Sequence, residues 1–156
     1  MASMRRPISY AVIAAALIAP AEGLWTTAKV DSLGTGQPPT VCYGMTSADR
    51  PVHVGDTYTP EQCMDFLIRD IPKYWKPLEQ CVHVDISNHA KAALTRAAYN
   101  AGSRAVCNSP MVKAFNRLDP KACDYFRGWY VHAGGRYIPG LANRREKERK
   151  VCATKD

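Results

Sequence analysis

The alternation of hydrophobic and polar positions changes rhythm twice along this chain. Residues Pro7–Ala21, PISYAVIAAALIAPA, form an almost unbroken apolar run, which reads as an N-terminal hydrophobic helix. Residues 28–54 have the shorter rhythm of strands. AKV, TVCY and VHV are strand-like pieces, and SLGTGQPP between the first two is dense in turn formers. From Thr59 the period becomes helical. In TPEQ, Thr59 takes the N-cap, Pro60 the first helical position, and Gln62 follows three residues after the cap. Cys63, Phe66, Leu67 and Ile71 then share one face. A second helix is expected from about Ser87, with Ala90, Leu94, Ala97 and Ala98 inward and Gly102 as its stop. Ser109-Pro110 and Asp119-Pro120 each mark a further helix start, and a last helix is expected over Leu141–Cys152. The sum is an α+β chain, mostly α, with a small β region followed by a helical lobe.

The first residues carry a charge signal as well. Arg5 and Arg6 precede the apolar run, and Ala19-Pro20-Ala21 has the small-x-small form of a cleavage site. A removable export signal is the plain reading. The length of the run argues for another. Residues 7–21 as a helix span roughly 22 Å, against a hydrocarbon core of about 30 Å. The run is rich in Ala and includes Ser9 and Tyr10, so it enters a bilayer but holds there weakly. Arg5 and Arg6 would keep the N-terminus cytoplasmic and send the rest outward. The expectation is an uncleaved signal-anchor over residues 1–21, held in the inner membrane through residues 7–21 and able to leave it, then one domain over residues 22–156.

Composition narrows the partners. The chain has 156 residues, 46% of them hydrophobic, enough for one domain with a real core. Its formal net charge of +7 favours polyanions, and nucleic acid, anionic membrane and the bacterial wall all qualify. The densest basic run, NRREKERK at Asn143–Lys150, alternates Glu with cations and reads as a solvated helix face. The aromatics of DYFRGWY, Asp124–Tyr130, read as helix packing and not as a base-stacking platform, so no nucleic-acid partner is expected. His53, His83, His89 and His132 form no zinc-site spacing, and no cofactor or metal motif appears. Six cysteines, at 42, 63, 81, 107, 123 and 152, include no C-x-x-C pair. An even set of scattered Cys in a small domain points to disulfides and an oxidising compartment, with the pairing left open.

One constellation carries chemistry. Glu22 ends the apolar helix, Asp31 lies nine residues on beside Gly34, and Thr40 opens the next strand-like piece. Glycoside hydrolysis needs two carboxyl groups, one on each side of the sugar. Glu22, ending an Ala/Ile/Leu helix, would sit in an apolar setting that keeps a carboxyl protonated, and Asp31 in a polar turn would stay ionised and orient a water. The spacing alone also fits an exposed Glu and a turn Asp.

The wider motif is more specific. EGLWTTAKVDSLGTGQPPTVCYGMT, residues 22–46, resembles the catalytic signature of the phage-type lysozymes, glycoside hydrolase family twenty-four. The likeness continues through Asn100-Ala101-Gly102, Trp129, Ala133-Gly134-Gly135, Pro139-Gly140-Leu141, Asn143-Arg144-Arg145-Glu146 and Cys152. It implies a lysozyme-like fold and hydrolysis of the β-1,4 bonds between N-acetylmuramic acid and N-acetylglucosamine in peptidoglycan, by inversion. It further implies Glu22 as general acid, Asp31 and Thr40 positioning the attacking water, Arg144 pairing with Glu22, and Asn100 and Gly102 supporting the cleft. In similar sequences the cysteines go together as Cys42–Cys63, Cys81–Cys107 and Cys123–Cys152. Joined to its weak anchor, the chain resembles the signal-arrest-release endolysins: tethered at the periplasmic face of the host inner membrane, then free in the periplasm as a monomer. Two positions depart from the family pattern. Lys29 stands where an aromatic is usual and Met45 where His is frequent, both expected to flank the cleft. The non-enzyme alternative is a secreted, disulfide-stapled binding module for anionic wall polymers.

Overall fold

The computed structural model describes residues 8–30 and 38–156. They fall into two compact units, Ala15–Ile71 and, separately, the described residues up to Ala14 with Pro72–Asp156. Helix α1, Tyr10–Glu22, is drawn from the apolar run. Ser9 starts it by accepting from the Ala11 N–H at 3.2 Å. Ala11, Ala14, Ala15, Ile18 and Ala19 are buried, while Val12, Ala16 and Pro20 are exposed. That three–four spacing is one helical face. Pro20 lies in the last turn, and Gly23 at φ +70° ends the helix.

In the smaller unit, β1 (Trp25–Lys29) pairs antiparallel with β2 (Thr40–Cys42), Trp25 opposite Cys42 and Lys29 opposite Thr40. The register shifts between these two pairs, the mark of a bulge. The expected strand at VHV does not form. Asp56 accepts from the His53 N–H at 2.8 Å, which bends the chain into a turn and leaves Val54 exposed. Thr57 bridges to Thr27 instead. Helix α2, Pro60–Asp70, has the reciprocal capping box read from TPEQ, with Thr59 Oγ1 accepting from Gln62 N and Gln62 Oε1 from Thr59 N. Its face packs a small core of Ala28, Val41, Cys42, Met45, Val52 and Cys63.

The helical unit holds α3 (Pro72–Trp75), a 3-10 turn over Lys76–Gln80, α4 (Asn88–Ala101), α5 (Ser103–Cys107), α6 (Pro110–Asn116), a second 3-10 turn over Ala122–Phe126, the hairpin β3 (His132–Ala133) and β4 (Arg136–Tyr137), and α7 (Pro139–Ala153). Ser87 and Ser109 cap α4 and α6 as their sequences foretold. Asp119 opens a 3-10 turn and not the α-helix expected there. Helix α4 is central. Ala90, Ala92, Ala93, Leu94, Thr95, Arg96, Ala97 and Ala98 are all buried, so it is enclosed on nearly every side. Trp75, Leu78, Val106, Met111, Val112 and Phe126 complete the core around it.

Three disulfides close: Cys42–Cys63, Cys81–Cys107 and Cys123–Cys152. The first belongs to the smaller unit and the other two to the helical one. One expectation is corrected on α7. The run NRREKERK is not uniformly solvated, because Arg145 and Glu148 are buried at 1% exposure each. Cys152 explains why. Its bond to Cys123 turns one face of α7 inward, and positions three, four and seven residues away share that face.

Candidate active site

Three features put Glu22 and Thr40 on one surface. Gly23 stops α1 so that Glu22 is its last residue. The chain turns directly into β1, and β2 brings Thr40 back alongside. A pocket of about 280 Å³ results, lined by Glu22, Gly23, Trp25, Pro38, Thr40, Cys42 and Gly44. It lies wholly within the smaller unit. Polar and apolar groups share its lining, as a sugar requires. Asp31 and Gly34 lie outside the described residues.

The apolar setting expected for Glu22 is not what its own chain provides. Pro20, Ala21, Glu22 and Gly23 are all exposed, because the buried stripe of α1 runs out at Ala19. Cys42, by contrast, is buried at φ +59° and tied to Cys63. It anchors β2 two residues from Thr40.

Met45 does not flank this pocket. It is buried, and its sulfur lies 2.7 Å from Arg50 Nη1. Arg50 also donates to both oxygens of Asp70, at 3.1 and 2.8 Å, with its guanidinium 4.4 Å from the Phe66 ring centre. Met45 and Arg50 therefore act in the small core, tying the loop after β2 to the end of α2. Lys29 does not itself line the pocket; its ammonium lies 3.8 Å above the ring of Trp25, which does.

The remaining candidates lie in the helical unit. Gly102 closes α4 at φ +90°, its N–H on the Ala98 carbonyl. Asn100 Oδ1 accepts from Arg145 Nη2 at 3.1 Å. Arg144 is half-buried on α7, and its charge acts on Glu148. Its neighbour Arg145 was not singled out in the sequence, yet it holds the centre of a buried network. Arg145 Nη2 donates to Glu148 Oε1 at 2.8 Å, Arg96 stands 4.0 Å from the same oxygen, and Trp129 lies against the Arg145 guanidinium at 5.2 Å. Burial pushes the Glu148 carboxyl up to about 7, against the pull of Arg145 and Arg96. Among the described residues, no three His, Cys, Asp or Glu side chains gather as metal ligands.

Residues 19–148 match the family described as phage lysozyme. The chain belongs to that family. It is 35% identical over 156 aligned positions to a SAR-endolysin of Pseudomonas phage phiKMV, covering 96% of this chain and 92% of that protein. A SAR-endolysin of bacteriophage PS34 is 36% identical over 114 positions, which cover 72% of this chain and 66% of the relative, just under two thirds of its length. Among solved structures, P22 lysozyme superposes with a TM-score of 0.74 at 23% identity, covering 97% of this chain and 100% of that one. This last likeness shows the fold, which is lysozyme-like and mostly helical with a small antiparallel sheet.

Proposed function

We propose that this phage-lysozyme chain is an endolysin that hydrolyses the β-1,4 bonds between N-acetylmuramic acid and N-acetylglucosamine of peptidoglycan, with Glu22 as proton donor. The observation that carries the reading is the single pocket surface shared by Glu22 and Thr40. Glu22 gives its proton to the leaving glycosidic oxygen. A glycan filling the pocket displaces water from around its exposed carboxyl, supplying the dry setting that the protein alone leaves open. Asp31 and Thr40 hold the attacking water on the opposite face of the sugar, which is the inverting arrangement. The binding-module alternative is not favoured by membership of a lysozyme family.

The same reading covers control. The apolar run acts as an uncleaved anchor, and the anchored enzyme is silent. Helix α1 supports this: its buried face and Glu22 belong to one continuous helix. While the run lies in the inner membrane that face cannot pack, so Glu22 has no fixed place. Among the described residues no helix is long and apolar enough to cross a membrane. Collapse of the membrane potential favours release, since Arg5 and Arg6 must cross at about 2.3 kcal/mol per charge per 100 mV. The released protein acts as a monomer in the periplasm.

Two experiments test these statements. Glu22→Gln keeps the side-chain shape but cannot donate a proton, and should cost about 10²–10⁴ in lysis rate. A folded Glu22→Gln protein lysing outer-membrane-stripped cells at the normal rate would end the mechanism. N-terminal sequencing of the soluble active protein should begin ahead of the apolar run, and a start at Glu22 or beyond would show a plain signal peptide.

A further inference from the structure

Lys29 and Trp25 form a unit whose chemistry the proposed reaction has not used. Both stand on β1, and the contact between them shows that their side chains meet despite the bulge that separates them. The Lys29 ammonium rests 3.8 Å above the Trp25 ring. Trp25 lines the pocket beside Glu22, and Lys29 is paired across the sheet with Thr40, which lines it too. Cross-strand partners share a face, with their Cβ atoms about 5 Å apart. Both Lys29 and Trp25 are exposed.

The ring holds the cation in place without neutralising it. An indole face attracts an ammonium through its quadrupole, worth about 0.5–1 kcal/mol at an exposed site. That restricts a long, mobile side chain but leaves N–H donors and the full charge available. A lysine fixed in this way is prepared to receive an anion, and the anions of a wall glycan are carboxylates. We propose that Lys29, seated on Trp25, is a specificity-determining residue that binds a carboxylate of the wall strand at the rim of the pocket. This rests on the pocket being the catalytic site. The carboxylate belongs either to the stem peptide or to the lactyl group of muramic acid, which is free only where the peptide is absent.

The test compares kcat/KM of wild type, Lys29→Gln and Lys29→Arg on three walls: native peptidoglycan, peptidoglycan whose carboxylates are converted to methylamides with a carbodiimide, and glycan strands stripped of peptide by an amidase. Lys147→Gln, at an exposed position on α7, removes the same unit of net charge elsewhere and controls for general attraction to the wall. Wild type and Lys147→Gln should prefer native over methylamidated wall by roughly tenfold, the scale of one charge-assisted hydrogen bond. Lys29→Gln should lose most of that preference, mainly through KM, and Lys29→Arg should keep it. Dependence on Lys29 seen on native wall and lost on stripped strands assigns the stem peptide, and dependence that appears only on stripped strands assigns the lactyl carboxylate. Equal losses on native and methylamidated walls, or activity unchanged by Lys29→Gln on native and stripped walls alike, would overturn the proposal. Failure of the acid assignment is separate: it appears as activity in Glu22→Gln, not as a change in wall preference.

Discussion

The two units solve the problem of cohesion differently. The helical unit wraps α4 so fully that Thr95 and Arg96 are buried with its alanines. That depth lets it hold an ion pair out of water. In the smaller unit the cluster behind the sheet has six buried residues, two of them the cysteines of one disulfide. Apolar burial scales with size, so this unit leans on a covalent bond and on Arg50. Its polar clamp is built at the edge, with Arg50 and Asp70 side chains 24% and 16% exposed. A deep charge is costly to strand. A shallow one is cheaper to lose, but here there is less else to fall back on.

Breaking the buried pair should have the largest effect. Arg145→Ala leaves Glu148 charged or forces it neutral, at a cost of about 4 kcal/mol in denaturant unfolding. Replacing both by apolar residues, Arg145→Met with Glu148→Leu, should recover most of that loss. A double variant as weak as the single one would show that the charges themselves stabilise the helical unit.

The second test is pH. Glu148 sits at about 7 in the folded protein, above its ordinary carboxyl value, so the folded state holds this proton more tightly than the unfolded chain. Its contribution to stability is therefore full below the ordinary value and lost as pH rises through about 7. Glu146 has the opposite sign. Hydrogen bonds from Arg149 and Arg127 hold it down to about 2, so its contribution is present above the ordinary carboxyl range and fades in acid. Melting temperatures of wild type minus Glu148→Gln should fall between pH 5 and 8. A flat difference would mean that the guanidinium groups outweigh burial.

Removing the Cys42–Cys63 bond with paired serines should cost about 3 kcal/mol, and the loss should be local. Hydrogen exchange should accelerate across residues 38–71 while α4 stays protected. Uniform acceleration in both units would dissolve the contrast between them. The smallest expected effect is that of Arg50→Ala, about 1.5 kcal/mol, read by the same local exchange. No change there would show that the clamp is ornamental and that Met45 packs without it.

These contrasts also show what the sequence could and could not reveal. Thr59–Gln62, Ser87 and Ser109 were legible because a cap is a local bargain between one side chain and nearby N–H groups. The helix from the apolar run was legible from its unbroken stretch of Ala, Ile and Leu, though not which face it buries. Strand VHV failed because Asp56 bends it from three residues away. Burial on α7 was hidden because charge alternation is the usual sign of solvation, and only the Cys152 bond reveals which face turns inward. Of the candidate site, the motif supplied Glu22 and Thr40, and the structure brings them to one pocket. It could not supply Met45's place in the core, since that depends on Arg50 and Asp70, 20 residues apart.

On the proposed anchor reading, helix α1 has to satisfy two solvents, and its alanines set the terms. A face of Ala11, Ala14, Ala15 and Ala19 has little bulk, so a protein neighbour can come close to its backbone. The same economy makes it a poor solute for acyl chains, where each additional methylene is worth about 0.8 kcal/mol. A segment shaped to fit against protein is thus already reluctant in lipid, and its partition coefficient is tuned by the fold. The two demands separate on opposite sides of the cylinder. Leucine at Val12 or Ala16, which face outward, would lengthen membrane residence and leave the packed side intact. Leucine at Ala14 or Ala15 would add the same lipid affinity and also spoil the fit, delaying lysis twice over.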